Sequence, residues 1–188
     1  NRIVQDTLLG KMEKIMKKSY LLLAVLAFNG VVHAEENPYM PEAKLKGAKD
    51  VATWNIGAGF TKKLLHANLE WVNPYGIAYA KVGAFLNDDN EPGAQIGFRY
   101  PYYLTGTDKN GYYLGLYAGH LDSKNYGGKQ KGNLGVGTDL AFVWLNSDRI
   151  STFSVGAGLR DKIEDGNGNT VKKVEPLFQI SYTLSFGL

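Results

Sequence analysis

Residues 51–71 read VATWNIGAGFTKKLLHANLEW, and their spacing decides the fold. Ala52, Trp54, Ile56, Ala58 and Phe60 alternate with Thr53, Asn55, Gly57 and Gly59. After the two lysines, Leu65, Ala67, Leu69 and Trp71 alternate with His66, Asn68 and Glu70. A period of two places each set on its own face of an extended strand, so the stretch predicts two strands joined tightly at 61–64. The same alternation recurs at 78–86, 94–102, 112–119, 134–144, 152–160 and 178–188. Turn-forming runs separate these segments: NPYG at 73–76, NDDNEPG at 87–93, TDKNG at 107–111, NSDR at 146–149 and DGNGN at 165–169. No helical period intervenes after residue 51. The prediction is an all-β, antiparallel chain of eight strands rather than a parallel βαβ fold.

The chain has 188 residues, 23 of them glycine and none cysteine. Without cysteine there is no disulfide framework, no thiolate metal site and no cysteine nucleophile. The formal charge of +3 comes from the N-terminal stretch. Arg2, Lys11, Lys14, Lys17 and Lys18 face only Asp6 and Glu13 there, which leaves residues 35–188 with 16 basic and 16 acidic residues. That balance argues against nucleic acid as a partner, since binding it requires a basic face.

Residues 12–34 have the layout of a secretory signal peptide. Met12 to Lys18 is short and net positive, Tyr20 to Phe28 is apolar, and Val32-His33-Ala34 predicts cleavage after Ala34. The apolar run is shorter than the roughly 17–25 residues of a membrane-spanning helix. Residues 1–11 are expected to be upstream and non-structural. The polar segment 35–50, with two prolines, is expected to be an extended periplasmic leader, and 51–188 the β domain.

The two faces differ in a way that orients them. The face opposite the apolar one carries few charges: Glu70, Lys81, Arg99, Asp139, Arg160 and Glu175, among Gly, Ser, Thr, Asn, Gln and Tyr. A water-facing surface would be richer in Lys, Glu and Asp. Small residues with three acids and three bases suit the interior of a narrow barrel, where buried charges must be paired. His66 belongs to the same inner polar network. A turn centred between Pro74 and Tyr75 makes Glu70 and Lys81 diagonal neighbours, close enough to interact. Trp54, Trp71, Tyr100, Tyr102, Tyr112, Trp144 and Phe186 share the apolar phase and fall toward one end of the strands, as an interfacial girdle does. Connections at that end (73–76, 105–111, 146–149) are short. At the other end 87–93, 122–132 and 161–173 are longer, with the tight 61–64 as the exception, and short connections at one end with long ones at the other are the usual asymmetry of a membrane barrel.

With the signal peptide, eight strands and the C-terminal ISYTLSFGL, the chain resembles the small eight-stranded outer-membrane barrels of Gram-negative bacteria, the OmpA transmembrane domain and OmpX class. Its opening WNIGAGF gives a looser likeness to YfaZ-type barrels. The resemblance implies an eight-stranded antiparallel transmembrane β-barrel in the bacterial outer membrane. It also implies that the barrel assembly machinery reads the last strand, although that signal usually ends on an aromatic and Leu188 stands here instead.

Motifs that mimic other chemistry have plainer readings. The glycine pairs at 57–59, 135–137 and 156–158 lack the strand-to-helix setting of a dinucleotide site, and they line the inner face. The run from Asp165 starts like a calcium loop but carries Thr170 and Pro176 where Gly and Glu belong. His120, Asp122 and Ser123 resemble, with altered spacing, the outward His–Ser site of PagL-type lipid A deacylases; a rim histidine is the better reading. Lys124, Lys129, Lys131, Lys162, Lys172 and Lys173 are candidates for lipopolysaccharide phosphates. The expectation is a monomeric, non-enzymatic surface or structural protein in contact with outer-membrane lipid, with no metal and no cofactor. The alternatives are a narrow channel for small solutes, a lipid A-modifying enzyme, and a soluble periplasmic binding barrel.

Overall fold

A computed structural model describes residues 44–188 apart from 88–89, 106–107, 127–128, 162, 165–169 and 173; side chains at 124–126, 129–131, 163–164 and 170–172 also lie outside the description. The strands are β1 (Trp54–Thr61), β2 (Leu64–Asn73), β3 (Gly76–Phe85), β4 (Pro92–Leu104), β5 (Gly111–Tyr126), β6 (Lys129–Leu145), β7 (Arg149–Arg160), β8 (Ile163–Glu164), β9 (Thr170–Lys172) and β10 (Glu175–Gly187). Strands β1 to β7 and β10 close an eight-stranded antiparallel barrel in the order β1-β10-β7-β6-β5-β4-β3-β2. Strands β8 and β9 form a separate two-stranded sheet within the last long connection. The seam is a full ladder, with Ile56 opposite Phe186 and Thr61 opposite Ser181, so no barrel strand has a free edge along it.

Alternation places the side chains. Along β2 the burial pattern changes at every residue from Leu64 to Val72, and along β7 from Ile150 to Arg160. The outward set is apolar: Ile56, Leu65, Val82, Ile96, Leu116, Val136, Val155 and Ile180 are all exposed. The inward set is polar through the middle of the barrel, with Asn55, Asn68, Gln95, Thr152, Ser154, Gln179, Ser181, Thr183 and Ser185 buried. This is the reverse of a water-soluble protein, whose buried set is apolar.

One end departs from that rule. Where β1 begins and β10 finishes, hereafter the near end, Val72, Ile77, Tyr113, Ala141, Val143, Leu145 and Ile150 form one buried apolar cluster with Leu45 and Val51. Residues Lys46–Asp50 form a short 3-10 turn, β-strand-free and compact rather than extended. The leader expected over 35–50 is therefore corrected at its described end. Leu45 and Val51 gain about 1.5–3 kcal/mol each by leaving water, and that gain folds the segment onto the barrel.

Two register shifts interrupt the ladders, between Pro101 and Tyr103 in β4 and between His120 and Asp122 in β5. The first adjoins a proline, which has no N–H to give the ladder. It leaves both Tyr102 and Tyr103 on the outer surface. The second turns both Leu121 and Asp122 inward, where both are buried. Beyond it β5 and β6 stay paired to Tyr126 and Lys129. Most of the stretch 122–132, expected as a loop, is thus strand.

Candidate functional site: the polar interior and the outer wall

Among the described residues the interior holds a chain of polar contacts. Arg99 is 1% exposed; its Nη2 donates to Asp139 Oδ2 at 2.9 Å and to Ser154 Oγ at 3.3 Å. Its guanidinium lies 4.5 Å from the centre of the Tyr79 ring, and Lys81 Nζ lies 5.0 Å from the same ring. Tyr79 is thereby a shared cation–π partner of two buried cations. Lys81 Nζ donates to Thr61 Oγ1 and Ser181 Oγ, both at 3.0 Å. Thr61 Oγ1 also lies 2.8 Å from Ser181 Oγ and 2.9 Å from His66 Nε2. Those four side chains come from β1, β2, β3 and β10, so their contacts span the closing seam.

Glu70 and Lys81 occupy the expected diagonal, since Glu70 stands opposite Tyr79 and Asn68 opposite Lys81. They form no ion pair, however. Ser185 Oγ donates to Glu70 Oε2 at 2.5 Å, and Asn68 Nδ2 donates to Ser185 Oγ at 2.5 Å. Hydroxyls of β10 reach each charge sooner than the charges reach one another. Across the barrel, Gln179 Nε2 donates to Gln95 Oε1 at 3.1 Å, and Gln95 Nε2 to the His120 carbonyl at 2.8 Å.

The second charged group sits at the far end. Arg160 Nη1 donates to Asp122 Oδ2 at 2.8 Å and Nη2 to Glu175 Oε2. Lys62 Nζ reaches Asp122 Oδ2 at 3.1 Å from the two-residue β1–β2 turn. Asp122 and Lys62 are absent from the sequence reading of this network. The bulge at 120/122 brings Asp122 in, and Lys62 stands in the left-handed region with φ 54°, which aims it back over the mouth. Of the residues expected inside, His66, Glu70, Lys81, Arg99, Asp139 and Arg160 are buried and Glu175 is half-buried.

His120, Asp122 and Ser123 each contact other residues. His120 Nδ1 lies 3.2 Å from the Ala94 backbone nitrogen and 3.3 Å from its oxygen. Ser123 Oγ donates to Glu91 Oε2 at 2.7 Å, and the Gly132 N–H donates to Glu91 Oε1 at 2.6 Å. Asp122 is held by Arg160 and Lys62. These contacts tie the β3–β4 connection to the β5–β6 ribbon.

On the outer wall, Trp54 and Trp71 are register partners and stack at 6.0 Å. Phe142 packs against Tyr112 at 4.9 Å and Trp144 at 4.5 Å. Tyr102 and Phe186 are exposed near the same end, and Tyr100 is half-buried with Lys44 Nζ 5.2 Å over its ring. Of the lysines considered for phosphate contacts, Lys162 and Lys173 lie outside the described residues, as does the run 165–169. Lys124, Lys129, Lys131 and Lys172 are placed in strands but their side chains are not described. Among the described residues no cluster of three or more His, Asp or Glu could hold a metal ion. Compared with family models, curated proteins and solved structures, the chain finds no match in any of the three.

Proposed function

We propose that the chain is a membrane-spanning barrel of a Gram-negative outer membrane, with a non-enzymatic structural or surface-interaction role through its far-end connections. One observation carries the reading: the closed barrel is polar inside and apolar outside. In lipid every backbone polar group must be paired internally, which a closed barrel achieves. Its strands of 8–17 residues compare with the roughly 9–11 needed to cross tilted. The aromatic cluster at the near end fits a headgroup boundary, and the near end then faces the periplasm. Lipid and lipopolysaccharide are the surrounding partners, the barrel assembly machinery acts during biogenesis, and the barrel works as a monomer. An interior filled by Arg99, Tyr79, Tyr117 and their partners disfavours a general porin.

Expression in a Gram-negative host tests the reading. The protein should pellet with the outer membrane, resist high-salt and carbonate washes, and lose far-end loops to protease added to whole cells. Recovery in the periplasmic wash would contradict it and would reassign the apolar wall as a binding or assembly surface.

A further inference from the structure

The near end of the barrel breaks the inside-polar rule, and it does so where a separate piece of chain enters. Inward positions there are Val72, Ile77, Tyr113, Ala141, Val143, Leu145 and Ile150. Immediately deeper, the inward positions are Asn55, Glu70, Arg99, Thr152 and Ser185. We propose that residues 44–51 are a stopper that seats in this apolar socket and keeps water from the charged layer behind it.

The segment is built to seat rather than to pair. No ladder joins residues 44–51 to a strand; Leu45 N donates to the Pro74 carbonyl at 3.0 Å, and just beyond, Ala52 N donates to the Ser147 carbonyl at 2.9 Å. Two further backbone bonds lie within the segment: Ala48 N donates to Leu45 O and Val51 N to Ala48 O, flanking the 3-10 turn. Two apolar side chains on either side of the 3-10 turn, Leu45 and Val51, enter the cluster, while Lys46, Lys49 and Asp50 stay in solvent. Gly47 is buried, and a Cβ there would fall on the Asp108 carboxylate, so the β4–β5 connection closes over the turn. That connection is itself braced, with Tyr113 Oη donating to Lys109 O at 2.5 Å and Leu145 N to Asn110 Oδ1 at 2.7 Å. The socket is thus apolar side chains, and the backbone bonds at Leu45 and Ala52 join the segment to the barrel. Several atoms in the layers behind it have no protein partner: Asn55 Oδ1, Arg99 Nε, Thr152 Oγ1 and Thr183 Oγ1. Buried polar atoms of that kind are where admitted water would bind. The inference rests on the fold alone, not on the membrane assignment.

The absence of native cysteine makes the test clean. Ala141 is fully buried in the same cluster as Leu45 and Val51, so Ala141→Cys is a small change within the socket. Its reaction with a charged, water-soluble maleimide is followed in the intact chain and in the backgrounds Leu45→Ala, Leu45→Gly and Leu45→Asp. The mobility difference between boiled and unboiled samples reports whether the barrel is still closed. The expected result is slow labelling with Leu45 present, a rise of tenfold or more along the series, and a closed barrel throughout. Unchanged labelling in Leu45→Asp would overturn the proposal, because the wall alone would then seal the end. Loss of the closed-barrel band in Leu45→Ala would overturn it too, by making the segment part of the folding core rather than a seated plug.

Discussion

At the scale of single residues, the interior is governed by the cost of buried charge. Arg99 and Asp139 form its most enclosed ion pair, with side chains 1% and 5% exposed. Removing one partner of such a pair leaves the other charged and unpaired, at a cost of about 3–5 kcal/mol. Arg99→Met should therefore lower the urea midpoint of unfolding strongly, and Arg99→Met with Asp139→Leu should recover most of the loss. Equal midpoints for the single and double variants would show that the pair is uncoupled. Gly115 belongs to the same argument, since a Cβ there would collide with the Asp139 carboxylate. Lys62 is the opposite case. Its side chain is 28% exposed where it meets Asp122, so Lys62→Met should cost less than about 1 kcal/mol and the effect should fade in high salt. Sequence separates the inner from the outer residues because alternation needs no tertiary information. It does not reveal partners: the β10 hydroxyls that intercept Lys81 and Glu70 lie 100 and 115 positions away along the chain.

At the scale of strands, the outward face carries the sharpest prediction. Leu116 is 67% exposed in the middle of β5, between Phe98 and Thr138. On a lipid-facing wall, Leu116→Arg should destabilise by about 2–4 kcal/mol when unfolding is measured in vesicles. On a wall facing water the same change would stay within about 0.5 kcal/mol. The eight strands are legible because each carries several alternations bounded by turn residues. The β2–β3 register is legible too, since Pro74-Tyr75 leaves Asn73 opposite Gly76. The bulges are not, because an inserted residue shows only as a break in phase. Signals for them exist: Pro101 lacks a ladder donor, and after Gly119 an apolar Leu121 takes the inner phase while Asp122 would otherwise point outward. The β5–β6 ribbon beyond residue 120 escapes the reading for a related reason. Its sequence, DSKNY at 122–126 and KQKGN at 129–133, carries no apolar alternation, while the ladder pairs it as far as Tyr126 and Lys129.

At the scale of the whole molecule, closure explains why an apolar exterior is compatible with a folded chain. The seam between β1 and β10 satisfies the edges, Arg99 pairs with Asp139 and Arg160 with Asp122 and Glu175 inside, and the segment 44–51 packs at the near end. That packing was hidden in the sequence because Leu45 and Val51 sit in a stretch otherwise rich in lysine, and a 3-10 turn this short leaves no periodic trace. If the outer wall faces lipid, the folded barrel requires an apolar environment around it. The most direct measurement is refolding from urea into buffer alone, into detergent micelles and into phosphatidylcholine vesicles, read by the mobility of unboiled samples on a gel. A faster-migrating band should appear only with micelles or vesicles and disappear on boiling. A folded, soluble monomer recovered from buffer without either would contradict a lipid-facing wall.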